Sequence, residues 1–376
     1  MYIQKYNNNE NVLQATQKRI SFIFDNFKNI NVSISGGKDS TVLCYLLCKE
    51  ANKRNRKIGV FFIDEEVVYE STIHQIEYLM EMFPDNINKL WLQIEFNLTN
   101  ATSLKESQLK CWEQGKHKIW MRSKKDYSIK YRMWSKKDER VKDKNKGFGF
   151  YDVIYNFENC FKDTAFCVGL RASESPNRWR TMVKNPVEIN NQHIFYATKF
   201  KNNNISIYPL YDWNFSDIWK FIYDHKLNYS KIYDYQFKKG FAINEIRVSS
   251  LIHEKSFKSI CDLPEFEPKT YDLLYKRIQG IGFAQETGKS SKMFKVRKLP
   301  KNFKTWTDYR EFLLETYPDK EKKIIFVKRF SKHLNNEFVA RQQCRQLILN
   351  DYENNLPITN KEDHRVKLIN YYRKVL

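Results

Sequence analysis

The sequence of 376 residues predicts an α/β fold, in which helices flank a parallel twisted sheet, followed by a mainly helical C-terminal region. The apolar runs 30–34, 57–63 and 90–94 have the length of buried strands, and the segment 41–50 has the apolar face of a helix. Short buried strands that alternate with helices are typical of parallel sheets, because each crossover needs room for a helix. We therefore predict a β-α-β-α-β unit within an N-terminal domain of residues 1–228, and a helical region of residues 229–376.

The turn after the first strand carries the most specific motif of the chain. Residues 33–41 are Ser-Ile-Ser-Gly-Gly-Lys-Asp-Ser-Thr. Two glycines at a strand-to-helix turn allow successive N–H groups to converge on an anion, and the helix N-terminus adds partial positive charge. Asp39 is expected to orient the loop or to help hold Mg²⁺. The candidate phosphate-binding residues are Ser35, Gly36, Gly37, Lys38, Asp39, Ser40 and Thr41. The alternative is a glycine-rich turn that merely starts a helix.

A second cluster follows the predicted strand 164–168. Gly169 ends this strand, and Arg171 follows at the same sheet edge as the glycine loop, where a guanidinium favours phosphate or sulfate. Arg178 extends the positive charge. Glu174 is expected to pair with Arg171 or Arg178, or to bind Mg²⁺.

Two acidic positions near strand ends are weaker candidates. Asp64 ends the second strand and is either a nucleotide contact or a solvated strand end. The segment 207–219, Ile-Tyr-Pro-Leu-Tyr-Asp-Trp-Asn-Phe-Ser-Asp-Ile-Trp, contains Asp212 and Asp217. Its proline ends a strand, and Asn214 or Ser216 is placed to cap the next helix. We interpret this segment as architectural.

The charge of the chain favours a polyanionic partner. It has 65 Lys and Arg against 44 Asp and Glu, a net charge of +21. An insertion at about 112–148 includes residues 115–146, where thirteen Lys or Arg and four aromatic residues are interleaved. This composition suits contact with DNA or RNA. The alternative is a solvated amphipathic insertion whose Trp120 and Trp134 pack on the core. A basic linker, 289–304, is a second candidate surface.

The cysteines and the apolar runs exclude several classes of protein. Seven scattered cysteines form no Cys-x-x-Cys pair, so neither an iron–sulfur cluster nor a disulfide framework is expected. No apolar run reaches the length of a membrane span, and the N-terminus has no signal-like pattern, so no membrane contact and a cytoplasmic location are expected.

The glycine loop resembles the PP-loop, Ser-Gly-Gly-x-Asp-Ser, of the ATP pyrophosphatase superfamily. The loop is followed by Gly-Leu-Arg at 169–171 and by Pro-Leu-x-x-Trp-x-x-x-Asp-Ile-Trp at 209–219. The order of these three motifs resembles that of the phosphoadenosine phosphosulfate reductase family. The resemblance implies an adenine nucleotide alpha hydrolase-like fold. It also implies that the loop holds the outer phosphates of ATP with Mg²⁺, with Asp64 near the adenosine. Residues 245–249 and 277–281 are similar to the immunoglobulin-binding regulator (IbrA-like) subgroup, which implies a phage-related setting and a partner with a ParB-like nuclease domain.

One departure from the family bears on the reaction. Reductases of this family need a nucleophilic cysteine near the C-terminus, whereas the last cysteine here, Cys344, lies in a helix-like run. We therefore predict a PP-loop enzyme that converts ATP to AMP and pyrophosphate and adenylates an unidentified acceptor, with nucleic acid as a candidate. Lys38, Asp39 and Arg171 are expected to have catalytic roles. The alternatives are a nucleotide-sensing regulator without turnover and a sulfonucleotide reductase.

Overall fold

A computed structural model describes residues 10–103, 105–142, 147–183, 187–199, 201–243, 245–253, 256–282, 284, 299–354 and 356–360. The chain divides into two compact units. The first comprises 1–96, 111–141 and 150–250, and the second comprises 97–110, 142–149 and 251–376. The division at 250/251 lies beyond the predicted boundary at 228/229, and the second unit also includes two segments from the N-terminal half. Sequence order alone could not assign those two segments.

The first unit is built on a six-stranded sheet with the order β3-β2-β1-β6-β10-β9. All neighbouring pairs in it are parallel except β10 with β9. These strands are β1 (Asn29–Ser33), β2 (Ile58–Ile63), β3 (Ile87–Leu92), β6 (Thr164–Cys167), β9 (Ala197–Lys199) and β10 (Ile205–Ile207). Two further pairs form small sheets, β4 (Phe96–Thr99) with β5 (Gln108–Cys111), and β7 (Val187–Ile189) with β8 (Gln192–Ile194).

Helices cover both faces of the main sheet. The helices of the first unit are α1 (Val12–Asn26), α2 (Lys38–Lys53), α3 (Glu70–Glu81), α4 (Phe150–Asn159), α5 (Pro176–Val183), α6 (Phe215–Asp224) and α7 (Ile232–Lys238). Val32 and Phe62 belong to the core formed with α1, α2, α3 and α6. Phe61, one residue away, contacts Phe157 of α4 and Phe166 of β6. This alternation follows from the period of two in a strand and confirms the predicted parallel sheet with flanking helices.

The order of the strands creates a switch point between β1 and β6. The chain runs from β1 outward to β2 and β3, and then returns to place β6 on the other side of β1. Loops that follow adjacent parallel strands lie at the same edge of the sheet, and a crevice opens where the strand order reverses. The loops after β1 and β6 are therefore neighbours, as the sequence predicted from their motifs.

The segment around Pro209 is architectural, as predicted. Arg19 of α1 donates to the backbone oxygen of Pro209 at 2.6 Å and forms a two-pronged ion pair with Asp212. Asn214 caps α6 through a capping box with Asp217. Asp212 thus holds α1, and Asp217 stabilises the start of α6.

The second unit is largely helical, which confirms the predicted helical C-terminal region. A small core contains Tyr317, Phe326, Val339, Leu347 and Tyr352. The helices are Phe257–Phe266, Pro268–Arg277, Trp306–Glu315, Lys320–Phe330 and Glu337–Ile348. Most of the predicted basic linker 289–304, and the predicted helical end at 371–376, lie outside the described residues.

Among the described residues, no helix combines the length and the apolar character that crossing a membrane requires.

The Arg19–Asp212 pair provides a test of the architecture. The side chains of Arg19 and Asp212 are only 3% and 5% exposed, so an Arg19→Met variant leaves a carboxylate buried without its cation. We expect the free energy of unfolding to fall by about 3–5 kcal/mol, measured by urea denaturation. Lys18→Met is the matched control, since the Lys18 side chain is 72% exposed and its loss is expected to change little. Equal stability of the two variants would refute the assigned role of the pair.

Candidate phosphate-binding site

The glycine loop joins β1 to α2, and the helix begins earlier than the sequence predicted. Apolar periodicity placed the helix start near Thr41, whereas α2 begins at Lys38. Gly37 is its N-cap, with extended backbone angles (φ −79°, ψ 158°) and no side-chain cap. Lys38, Asp39 and Ser40 therefore form the first turn of α2, where the helix dipole favours negative charge.

Gly36 occupies a position that only glycine fits. Its φ is +69°, and a Cβ atom there would lie 2.7 Å from Cγ2 and 3.0 Å from the backbone oxygen of Thr72. The left-handed angle and the close approach of α3 both exclude a side chain. The pairing of glycines in the motif is thus a local requirement of this turn.

The hydroxyl groups of the loop hold its own backbone. Ser40 Oγ donates to the Gly37 carbonyl at 3.0 Å and accepts from the Ser35 N–H at 3.2 Å. Thr41 Oγ1 donates to the same carbonyl at 3.0 Å and accepts from Gln75 at 3.1 Å. A hydroxyl has one proton to donate, so Ser40 and Thr41 have used theirs within the loop. The hydroxyl groups of Ser40 and Thr41 thus stabilise the loop itself, while Ser35 is exposed.

The N–H groups at the start of α2 are only partly paired. The Lys38 N–H donates to Tyr233 Oη at 3.1 Å. Within the described part of the chain, the N–H groups of Gly36, Gly37, Asp39 and Ser40 have no hydrogen-bond acceptor. Several unpaired donors at a helix N-terminus form the type of site that binds an anion.

Tyr233 is the residue that sequence reasoning missed at this site. Its hydroxyl would lie 3.4 Å from a Cβ on Gly37, and Val248 would lie 3.3 Å away, so both close on the loop. Burial raises the pKa of Tyr233, which keeps its hydroxyl protonated at neutral pH. Val248 belongs to the segment 245–249 that carries the subgroup resemblance. No spacing rule could have found Tyr233, because 195 residues separate it from Lys38.

Charged side chains form an alternating chain beside the loop. Lys38 Nζ lies 3.0 Å from Asp39 Oδ2, and Arg171 Nε lies 2.5 Å from Asp39 Oδ1. Glu174 then pairs with Arg171 at 3.3 Å and with Arg178 at 2.6 Å. Of the alternatives predicted for Glu174, the structure shows ion pairing, and with both arginines rather than one. Three cations face two carboxylates, which leaves an excess of one positive charge.

The backbone at Gly169 makes this chain of charges possible. A Cβ on Gly169 would lie 3.1 Å from the nitrogen of Ser40 and 3.1 Å from the carbonyl carbon of Asp39. Glycine thus allows the loop after β6 to approach the first turn of α2, and Arg171 follows two residues later. The Arg171 side chain is only 5% exposed, whereas that of Arg178 is 45% exposed.

The donor set at Asp39 does not fit the predicted Mg²⁺. Both of its carboxylate oxygens already contact cationic groups, of Lys38 and Arg171. The described residues also contain no group of three or more His, Cys, Asp or Glu arranged to hold a metal. Asp39 therefore acts as a bridge between the Lys38 and Arg171 cations rather than as a metal ligand.

Asp64 differs from both readings of its sequence position. Its side chain has 0% exposure, so it is neither a solvated strand end nor accessible to a nucleotide. One oxygen accepts from Trp91 at 2.8 Å and from Gln93 at 3.0 Å. The other accepts from the backbone N–H of Glu66 at 3.0 Å and from Arg122. Asp64 anchors the segment that follows β2 and holds Arg122 of the basic insertion.

The basic insertion has a packed part and an exposed part. Trp120 packs on the buried Trp112, with ring centroids 5.4 Å apart, in agreement with the packed alternative for that residue. Burial lowers the pKa of Lys124, whose Nζ lies 5.0 Å from the Trp120 ring centroid. Tyr131, in contrast, is 80% exposed. Residues 143–146 lie outside the described residues.

The last cysteine of the chain, Cys344, does not offer a reductase-type nucleophile. Cys344 is fully buried in the helix Glu337–Ile348, and burial raises the pKa of its thiol to about 12. Because the thiolate is the nucleophile, such a thiol is inert at neutral pH. Cys44 and Cys48 are buried in α2.

Comparison with known families assigns the first unit. Residues 29–265 match the family described as phosphoadenosine phosphosulfate reductase domain, which is more than half of the chain. The chain belongs to the phosphoadenosine phosphosulfate reductase domain family. Residues 240–365 also match a domain of unknown function, DUF3440. The family domain thus carries the glycine loop, the Arg171 cluster and the Pro209 segment, as the resemblance implied.

Relatives of this family member include proteins with and without an assigned reaction. An uncharacterized protein of Escherichia coli (strain K12), YbdN, is 24% identical over 324 residues, which cover 82% of this chain and 76% of that protein. The adenosine 5'-phosphosulfate reductase of Bacillus cereus (strain AH187) is 24% identical over 216 residues, which cover 57% of this chain and 72% of the reductase. The finer resemblance to the immunoglobulin-binding regulator subgroup stays a prediction.

Two solved structures share remote likeness with this chain. A phosphoadenylyl-sulfate reductase from Candida auris, as a phosphate complex, is 12% identical with a TM-score of 0.35, and the match covers 61% of this chain and 93% of that one. An FMN adenylyltransferase from Candida glabrata, in complex with FMN and an ATP analog, is 17% identical with a TM-score of 0.34 and covers 62% of this chain and 65% of that one.

The conformation of the loop provides a test of the site. In Gly36→Ala, the new methyl group meets Thr72 and the backbone must keep a positive φ. Gly240→Ala is the matched control, because Gly240 has φ +73° but open space where the Cβ would lie. We expect Gly36→Ala to lower the free energy of unfolding by about 1–3 kcal/mol more than the control, measured by urea denaturation. Equal losses would show that Thr72 does not restrict this turn.

Proposed function

We propose that this protein binds ATP at the glycine loop and transfers its AMP group to an acceptor with release of pyrophosphate. The observation that carries the proposal is the set of unpaired N–H groups of Gly36, Gly37, Asp39 and Ser40 at the start of α2, beside Lys38. Backbone donors at a helix N-terminus favour phosphate, and their geometry needs no further reorganisation when the ligand binds.

The reaction balances without a redox partner. An oxygen of the acceptor forms a bond to the α-phosphorus, the bond from that phosphorus to the oxygen bridging toward the β-phosphate breaks, and pyrophosphate leaves with the electron pair. Negative charge accumulates on the leaving group in such a step. Fixed positive groups near the outer phosphates lower the barrier, since charge stabilisation and positioning dominate this chemistry.

Each charged residue has a separate role in this proposal. Lys38 compensates the charge of the phosphates directly, and the exposed hydroxyl of Ser35 adds a donor at the mouth of the loop. Arg171 is a positioning residue, because its side chain is 5% exposed and binds Asp39 and Glu174. Arg178, with 45% of its side chain exposed, is the arginine of the cluster that is accessible to a substrate.

The basic insertion supports nucleic acid as an acceptor or partner. Its exposed members include Lys130, Tyr131, Arg132, Lys136 and Lys137. Exposed cations beside an exposed aromatic ring suit the backbone and the bases of a single strand. Three further statements stay predictions, because they follow from the resemblance or from composition alone. They are a partner with a ParB-like nuclease domain, a role in phage defence and a cytoplasmic location.

The first test is release of pyrophosphate from labelled ATP. We expect Lys38→Ala to lower the rate by about 100-fold, the effect of removing one preorganised group that stabilises developing charge. Lys49→Ala is the matched control, since Lys49 lies on the same helix with an exposed side chain. Loss of activity in both variants, or in neither, contradicts the proposal. Tight ATP binding by the wild type without pyrophosphate release would favour the nucleotide-sensing regulator instead.

The second test concerns the basic insertion. Binding of single-stranded RNA or DNA is expected to weaken steeply with salt, with a slope of about −0.7 for each phosphate contact. Lys136→Gln combined with Lys137→Gln should make this slope less steep by about 1.4 if both residues contact phosphates. The matched control is Lys328→Gln with Lys332→Gln, two exposed lysines of the second unit. An unchanged slope in the first double variant would refute a nucleic-acid interface at these lysines.

A further inference from the structure

An open cavity of about 290 Å³ lies beside α6 and α7 in the first unit. Its aromatic lining comprises Phe215, Trp219, Tyr229, Tyr233 and Phe237, with Asp234 as the charged residue of the wall. None of the site residues predicted from the sequence lies in this lining. The lining shares Tyr233 with the phosphate loop, since the hydroxyl of that residue accepts from the Lys38 N–H.

Two aromatic residues of α6, Phe215 and Trp219, lie beside its fully buried face. The core face of α6 is formed by Ile218, Phe221 and Ile222, which are all at most 4% exposed. Phe215 and Trp219 are half-buried and four residues apart, so they form a separate stripe along the helix. Trp219 packs against the core and also lines the cavity.

The rim of the cavity exposes large apolar groups. Phe237 is 68% exposed and Ile243 is 57% exposed, and both line the cavity. Exposed apolar residues that occur singly need no explanation, but two at the mouth of an aromatic cavity favour an apolar ligand. A flat ring covering Phe237 and Trp219 would remove such surface from water.

The charges around the cavity define the ligand further. Lys38 Nζ lies 5.6 Å from the ring centroid of Phe215 and 5.5 Å from that of Tyr233, so a cation borders the aromatic wall. Asp234 accepts one hydrogen bond, from Tyr229 Oη at 2.9 Å. A carboxylate has further acceptor capacity, which suits a ring N–H or amino group. The cavity therefore matches a heteroaromatic ring with hydrogen-bond donors that is joined to an anionic group.

We propose that this cavity binds the acceptor of the proposed transfer, and that the acceptor carries a nucleobase with a phosphate. The inference rests on the proposed function, because it assigns the cavity to the acceptor and leaves the glycine loop to ATP. A cavity of about 290 Å³ is at the small end of the range for ligand sites, which suits one base. Free mononucleotides and single-stranded nucleic acid share this chemistry.

The test measures binding of each of the common ribonucleoside 5'-monophosphates, and of a short single-stranded RNA, to the full chain by calorimetry. A non-hydrolysable ATP analogue is present at saturation. Phe237→Ala is the test variant, because the Phe237 side chain is 68% exposed and its truncation leaves the core intact. Tyr223→Ala is the matched control. Tyr223 lies on α6 with 83% exposure and does not line the cavity.

We expect Phe237→Ala to weaken binding by about 5- to 50-fold, the usual effect of removing one stacking ring, and Tyr223→Ala to leave it unchanged. Trp219→Phe should retain most of the affinity and Trp219→Ala should lose it. Binding of monophosphates identifies free nucleotides as the source, and binding of RNA alone identifies nucleic acid. Equal effects of Phe237→Ala and Tyr223→Ala, or no binding of any probe, overturn the proposal.

A separate measurement distinguishes this proposal from the function on which it rests. If the ATP analogue displaces the monophosphate, the cavity holds the base of ATP, and the acceptor assignment is wrong. Inorganic tripolyphosphate reports on the glycine loop alone, so its binding should fall in Lys38→Ala and stay constant in Phe237→Ala. Failure of tripolyphosphate to bind, with monophosphate binding intact, refutes the proposed function while the cavity retains its ring ligand.

Discussion

The ion pair between Asp39 and Arg171 is the interaction on which the site depends. It joins the first turn of the helix after β1 to the loop after β6, two segments that the strand order makes neighbours. Gly169 permits the approach, since a side chain there would press on the Asp39–Ser40 peptide. Both charged groups are largely buried, so removing either one would cost the other its shortest ion pair and leave it only the longer contact, of Asp39 with Lys38 or of Arg171 with Glu174. The pair therefore acts mainly by fixing the geometry of the phosphate-binding loop, because its own two charges cancel.

This arrangement determines how an anion is held. Asp39 and Glu174 each lie between two cations, so the cluster has an excess of only one positive charge although it contains three basic residues. Most of the net charge of +21 lies elsewhere in the chain. Binding of a triphosphate must then depend on the unpaired N–H groups of the helix start as much as on side-chain charge. Such donors are oriented by the backbone, which explains why glycines rather than additional lysines occupy this turn.

The sequence was sufficient for the features that depend on local patterns. Strand length, the switch from strand to helix, and the glycine pair at the turn were all predictable, because each follows from a few adjacent residues. The start of α2 was misplaced by three residues, because Lys38, Asp39 and Ser40 are polar and apolar periodicity does not register them. Asp64 was misjudged for a different reason: its partners Trp91 and Arg122 come from other segments, and no local pattern reports a carboxylate that folding surrounds with donors.

Tyr233 shows how a contact that is invisible in the sequence can connect two parts of a site. Its hydroxyl accepts from the Lys38 N–H, and its ring forms part of the aromatic wall lined by Phe215 and Trp219. The side chain is rigid, so its ring and its hydroxyl move together. Any displacement of the ring that enlarges the cavity also breaks the bond to Lys38 and adds a fifth unpaired N–H to the helix start.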